Sequence, residues 1–244
     1  MISVSDFFSF KKIDLQSRFD FPINYVFSHK RKTISIQVYN ECIKVMAPNW
    51  TPKITIQRFL LKNEKWIKQK VLFKKQEKIH RKNYCSNEIF KILDKDYILK
   101  IVKENNTFSK IIDPQSLIIV GSKNKNDQSF IKEEVEKLYK SKAKEILISK
   151  TGNFSQILGV NPIGIKIKDY KSRWGSCSSK KIISYNWKII IAPNEIVNYL
   201  VVHELCHLIH FNHSKSFWDE VKKVLPEYKN YRKWLRLNSY KLYL

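Results

Sequence analysis

The stretch His203-Glu204-Leu205-Cys206-His207-Leu208-Ile209-His210-Phe211-Asn212-His213 concentrates the chemistry of this chain. It holds four of the six histidines and a glutamate. On a helix, residues four apart differ by about 40° in direction and about 6 Å in rise. His203 and His207 therefore face one way, one turn apart, and both reach one metal ion. Glu204 stands about 100° round from His203, beside the metal and off the two-histidine face, where a general base for a metal-bound water belongs. His213 follows His207 by six residues, too many to share that face on an unbroken helix. A helix end between Ile209 and Asn212, eased by the tolerance of Asn for left-handed backbone, brings His213 back to the ion. Three protein ligands plus a water is the open arrangement of a catalytic zinc site. His210, seven residues after His203, is the rival: it stands behind the ligands, or it binds in place of His213.

By itself the H-E-x-x-H spacing is a weak signal, and its surroundings strengthen it. Pro193 suits the first turn of a helix and Glu195 its positive end. Ile196, Val197, Leu200, Val201, Leu205 and Leu208 recur at spacings of three and four, a pattern that buries the helix. A buried helix carries a histidine and a glutamate at a cost unless something binds them.

The wider set of residues resembles a known family. His203-Glu-Leu-Cys-His-Leu, Asn212-His213-Ser214, Phe217-Trp218 and the upstream Ser172-Arg173-Trp174-Gly175-Ser176-Cys177 are similar to the YgjP-like zinc metallopeptidases, relatives of the SprT-like zincins. The likeness is strongest over about 160–238 and reaches back more faintly to about residue 22. It implies a zincin fold, zinc on His203, His207 and His213, and Glu204 as general base. Metzincins share this ligand spacing, but a glycine occupies the place of His210 there, so the turn before His213 is built differently here. Two further activities follow from the resemblance. One is nucleotide pyrophosphatase action on UTP at the same metal site. The other is a DNA-associated role like that of SprT relatives. The chain has no P-loop, which weighs against the first.

Composition sets outer bounds. With 244 residues there is ample length for a core, in one large or two small domains. Lys and Arg number 46 against 22 Asp and Glu, a net charge of +24 that favours anionic partners such as nucleotides or nucleic acid. The excess is mostly Lys, accompanied by many Ile and Asn, and reads first as compositional bias. Arg, not Lys, makes the bidentate contacts to phosphates and bases. Cys42, Cys85, Cys177 and Cys206 form no C-x-x-C pair, so a disulfide framework or a cysteine zinc site is not expected. Cys206 reads as a small buried thiol. No signal peptide or membrane span is legible, and a cytoplasmic location is expected.

Elements follow from periodicity. Residues 1–20 alternate weakly and read as a poorly ordered lead-in or an edge strand. Thr33–Tyr39 and Cys42–Pro48 read as a β-hairpin. Thr51-Pro52 opens one long basic helix to about Lys75. Strands are expected over 88–93, 97–102 and 116–120, and a loop over 121–127. A helix follows from about Phe130 to Lys150, stopped by Thr151-Gly152. Ile163–Lys168 reads as a strand, and the segment from Ser172 to Ser178, a turn at Lys180-Lys181 and Ile183–Ile191 read as a second hairpin feeding Pro193; the family resemblance implies that Arg173–Ser178 forms a sheet edge above the metal helix. Such an edge aligns an extended substrate by strand addition. Arg173 then holds a substrate carbonyl, carboxylate or phosphate, or is a surface charge. Tyr228 stabilises an oxyanion, or is a packed aromatic.

The expected architecture is α+β: a β-rich N-terminal region with one long helix over 1–125, then a zincin-like, zinc-dependent hydrolase domain over 126–244. The expected activity is hydrolysis of peptide or protein substrates.

Overall fold

The computed structural model describes residues 19, 21–39 and 42–244. The lead-in or edge strand expected within residues 1–20 falls almost wholly outside them. The chain divides into two compact units, Met1–Ile79 and His80–Leu244.

In the first unit, strand β1 (Ile23–Ser28) pairs parallel with β3 (Ile43–Pro48), and β2 (Ser35–Val38) pairs antiparallel with β3 on the other side. The expected hairpin is the β2–β3 pair, closed where the Tyr39 N–H donates to the Cys42 carbonyl at 2.8 Å. Alternation along β3 buries Ile43, Val45 and Ala47, as period-two geometry requires of a strand with one core face. These pack with Ile56 and Leu60 of α1 (Lys53–Lys62) and Ile67 and Val71 of α2 (Glu64–Ile79). The expected long helix thus carries a break at Asn63. The Asn63 side-chain amide donates to the Phe59 carbonyl at 2.8 Å, competing with helix propagation as Asn does.

The second unit opens with a four-stranded sheet of β4 (Ile89–Ile92), β5 (Lys95–Lys103), β6 (Phe108–Ile112) and β7 (Leu117–Ser122), ordered β4-β5-β7-β6. Three of these strands match expectation. β6 does not: its alternation, Phe108-Ser109-Lys110-Ile111-Ile112, is short and half-polar. Helix α3 (Gln128–Leu158) then runs 31 residues. Asp127 caps it by accepting from the Phe130 N–H at 3.0 Å. Ile131, Val135, Tyr139, Ala143, Leu147, Thr151 and Ser155 recur every four residues as its buried stripe.

Helix α3 passes through Thr151-Gly152, where a stop was expected. Thr151 satisfies its hydroxyl inside the helix, donating to the Leu147 carbonyl at 2.6 Å and lying 3.1 Å from the Tyr185 hydroxyl. Gly152 stays helical. The terminator is Gly159, whose φ of 65° is the left-handed conformation that ends helices and suits glycine.

A second sheet contains β8 (Gly164–Lys168), β9 (Gly175–Cys177) and β10 (Ile182–Asn186), ordered β8-β10-β9. The expected hairpin turning at Lys180-Lys181 is the antiparallel β9–β10 pair, closed where the Ser178 N–H donates to the Ile182 carbonyl at 3.0 Å. β8 and β10 run parallel, and β9 pairs antiparallel along the other side of β10. Trp187–Ile191 is a 3-10 turn, not strand. Asn186 ends β10: its Oδ1 accepts from the Lys188 N–H at 3.2 Å, and its amide donates to the Tyr170 carbonyl at 2.8 Å. Ile189, Ile190 and Ile191 are all buried, so the run does not alternate as a strand would.

The helices α4 (Asn194–Cys206), α5 (Lys215–Val224) and α6 (Tyr228–Asn238) complete the unit. Among the described residues, no helix is long and apolar enough to cross a membrane.

The expected division at 125/126 lies inside this unit, because α3 shares one core with the sheet before it. The Tyr139 hydroxyl donates to the Lys91 carbonyl of β4 at 2.9 Å. The Tyr139 ring meets Phe90 on one side and Trp187 on the other, at 6.4 and 6.1 Å between centroids. The switch in periodicity near residue 127 marks a change of element, not of core. Replacing Tyr139 by Phe keeps the packing and removes this hydrogen bond. The expected cost is about 1 kcal/mol, read as a lower denaturant midpoint at unchanged slope.

Candidate metal centre

Helix α4 is buried almost all round, by Ile196, Val197, Tyr199, Leu200, Val201, Val202, Leu205 and Cys206. Its start follows expectation. Pro193 precedes the helix in extended backbone and Glu195 lies in the first turn. Lys150 of α3 ties that turn down, donating to Asn194 Oδ1 and Asn198 Oδ1, each at 2.6 Å.

The helix ends earlier than the sequence suggests. It stops at Cys206, with His207 as its cap, ahead of the expected window of Ile209 to Asn212. No residue from His207 to Asn212 takes the left-handed conformation. The last turn tightens instead. Leu208 N–H donates to the Leu205 carbonyl at 2.9 Å, and Ile209 N–H to the Cys206 carbonyl at 3.1 Å. His207 locks the turn from its side chain. Its Nδ1 lies 3.0 Å from the His210 carbonyl, which can only accept, so Nδ1 carries the proton and Nε2 keeps a free lone pair. His210 thus serves through its backbone.

The chain then returns to α4. The Asn212 Oδ1 accepts from the Ser214 N–H at 3.3 Å, and Ser214 caps α5 by accepting from the Phe217 N–H at 3.5 Å. His213 arrives with Nε2 only 3.1 Å from Nε2 of His203. One nitrogen from each of His203, His207 and His213 falls within 4.8 Å of the others; the His210 side chain is not in this group. Phe217, fully buried, backs all three rings at 4.6 to 5.0 Å between centroids.

This donor set fits a divalent metal. Two neutral imidazole nitrogens at 3.1 Å hydrogen-bond only if one is protonated, whereas a shared cation satisfies both lone pairs. Burial pushes the His203 imidazole down to about 3, helped by His207, His213 and Arg232, so it stays neutral, the form a metal requires. His213 is lowered by burial first, then by His207 and Arg232.

Glu204 completes the site. It is 4% exposed, and its Oε2 has no hydrogen-bond partner. Burial drives its carboxyl up to about 8, against the opposing charge of Arg173. The carboxylate packs directly on the backbone of β9. A Cβ added at Gly175 would sit 2.7 Å from Cδ and 2.8 Å from Cγ of Glu204. Only glycine permits that approach. The Trp-Gly-Ser triplet carried this signal in the sequence, since a strand glycine often marks a close neighbour.

The remaining expected residues are placed as follows. Arg173 is exposed, its guanidinium 5.7 Å from the Tyr170 ring centroid. Tyr228 is a packed ring, stacked on Trp218 at 5.2 Å and 14°, and Trp218 in turn stacks on His213 at 5.6 Å. Sequence reasoning missed Arg232 of α6, which lies 4.6 Å over the Trp218 ring. Nothing in the sequence pairs residues fourteen apart across the turn at 225–227.

These shifts give the metal-free protein a defined pH response. Glu204 holds its proton more tightly folded than unfolded. Its contribution to stability is complete below its ordinary value of 4.5 and is lost as pH rises through about 8. His203 has the opposite sign: its contribution is present above 6.5 and is lost as pH falls toward about 3. In chelator, Glu204→Gln should therefore gain on the wild type as pH rises from about 5 to about 8, by several degrees of Tm. A pH-independent difference would show that Glu204 ionises as freely as in solvent.

The model of the YgjP-like metallopeptidase domain matches residues 32–238. Among solved structures, the chain is similar to the metallopeptidase zymogen of Pyrococcus abyssi abylysin at 27% identity, over 38% of this chain and 92% of that one, with a TM-score of 0.35. It is also similar to the zymogen of Methanocaldococcus jannaschii jannalysin at 24%, over 36% and 90%, with a TM-score of 0.33. No curated protein matches. Since the family model spans most of the sequence and includes every residue of the histidine cluster, the chain belongs to the YgjP-like metallopeptidase family.

Proposed function

We propose that this metallopeptidase is zinc-dependent and hydrolyses peptide bonds, with His203, His207 and His213 holding the metal and Glu204 moving the proton. The observation that carries this reading is three convergent imidazoles beside a buried carboxylate with an unpartnered oxygen. Bound zinc supplies Lewis acidity, polarising a scissile carbonyl and acidifying water.

The chain's own residues supply the rest. The His210 carbonyl fixes the His207 tautomer and ring, and Phe217 fixes the three-ring arrangement from behind. Glu204 Oε2 accepts the proton of the attacking water and returns it to the leaving amine nitrogen. Burial makes the carboxylate a stronger base than it is in solvent, and a cation on the neighbouring histidines draws it back toward the ionised form. The edge strand β9 pairs with β10 on one side only. An extended peptide added along its free side lies against Gly175, and hence beside Glu204.

Elemental analysis is the direct test of the metal. Roughly one zinc per chain is expected for wild type, with much weaker retention in His213→Ala. No metal in wild type after zinc is supplied would end the proposal. In Glu204→Gln, zinc content should be unchanged while turnover of a cleaved peptide falls by about 100-fold or more. Full activity in that variant would remove Glu204 from the chemistry. Gly175→Val should leave zinc in place and lower kcat, because the new side chain displaces Glu204.

A further inference from the structure

Two arginines stand near the site with no ion pair among the described residues, although the charge of Arg173 reaches the Glu204 carboxyl. Arg173 precedes Gly175, the residue that touches Glu204, by two positions. Its guanidinium lies over Tyr170, and its carbonyl is anchored by the Asn186 amide at 3.3 Å. Arg232 lies one ring removed from His213, through Trp218.

Lys91, Lys137, Lys142 and Lys223 pair with acidic side chains, and other lysines, such as Lys110 and Lys168, lie over aromatic rings. Arg173 and Arg232 also rest on aromatic faces, and each presents a planar guanidinium beside the site. Stacking holds a guanidinium in a fixed plane while leaving its N–H edge free, the preparation needed for bidentate binding of a carboxylate. A cation beside a metal-ligand cluster is otherwise unfavourable, since it repels the metal it stands near. A substrate anion removes that repulsion.

We infer that Arg173 and Arg232 select a peptide carrying a carboxylate close to the scissile bond, either an acidic side chain or a free C-terminus. This rests on the peptidase reading, whose substrate class it narrows. Arg173 reaches the substrate from the β9 side and Arg232 from the α6 side, so each carboxylate position along the peptide engages one of them more strongly.

The test measures binding separately from turnover. Zinc-loaded full-length Glu204→Gln is titrated with fluorescent hexapeptides that differ by one Glu or Gln at each position, with free or amidated C-termini. At one or two positions, Glu should bind about tenfold more tightly than Gln. Loss of the preference on amidation instead identifies the C-terminal carboxylate. Arg232→Gln or Arg173→Gln should reduce that ratio to within about twofold, Arg232→Lys should restore it in part, and Lys110→Gln on the distant β6 strand should leave it unchanged. A preference that survives both arginine substitutions, one equally sensitive to Lys110, or no binding of any peptide would overturn the inference. So would stronger competition by a nucleoside triphosphate than by the acidic peptide. Cleavage of the same peptides by wild type tests the peptidase reading on its own.

Discussion

The desolvation of helix α4 governs the second unit. A thirteen-residue helix is buried almost all round, and it carries the half-buried His203 beside the buried Glu204. An apolar residue at 203 or 204 would cost nothing there. His203 and Glu204 are forced into neutral forms by the absence of water, in opposite directions, and the metal-free site is poised rather than relaxed. A cation with the right ligands reverses that penalty, so ion binding and the burial of α4 are two parts of one energy balance.

The scaffold that imposes this burial is α3. Its buried stripe of every fourth residue runs the length of the helix. Near its start it lies on the four-stranded sheet, through Tyr139 and Phe90. Near its end it reaches α4 through Lys150 and β10 through the Thr151–Tyr185 contact. The Leu93 N–H donates to the Ile190 carbonyl at 2.7 Å, a further tie between the first sheet and the turn that leads into α4. These contacts fix where α4 begins, and its position decides where His203 and Glu204 stand relative to β9.

Much of the site was legible in the sequence because helix geometry is local. The i, i+4 spacing of His203 and His207 and the adjacency of Glu204 need only the pitch of a helix. The return of His213 was expected, but not the route. The turn closes by tightened backbone bonds and by the His207–His210 hydrogen bond, and a side chain bonding to its own turn leaves no compositional trace. Helix ends failed for a related reason: Gly152 looks like a stop, yet Thr151 pays for continuation with its own hydrogen bond while Gly159 does the stopping. Contacts between distant segments, such as Gly175 on Glu204 or Arg232 on Trp218, carry no periodic signal. The division into units was equally illegible, since period changes report element type and not which elements share a core.

Strand β9 is only three residues long, Gly175–Cys177, and it is an edge. Long exposed edges recruit other chains, and proteins commonly shorten them for that reason. Here the shortening has a second effect. So few backbone groups can grip an extended partner only at its centre, for about two or three hydrogen bonds at about 1 kcal/mol each. Such an edge is long enough to set the register of one peptide bond and too short to hold a β-partner indefinitely. Under the proposed strand addition at β9, release after cleavage would follow from the length of the strand.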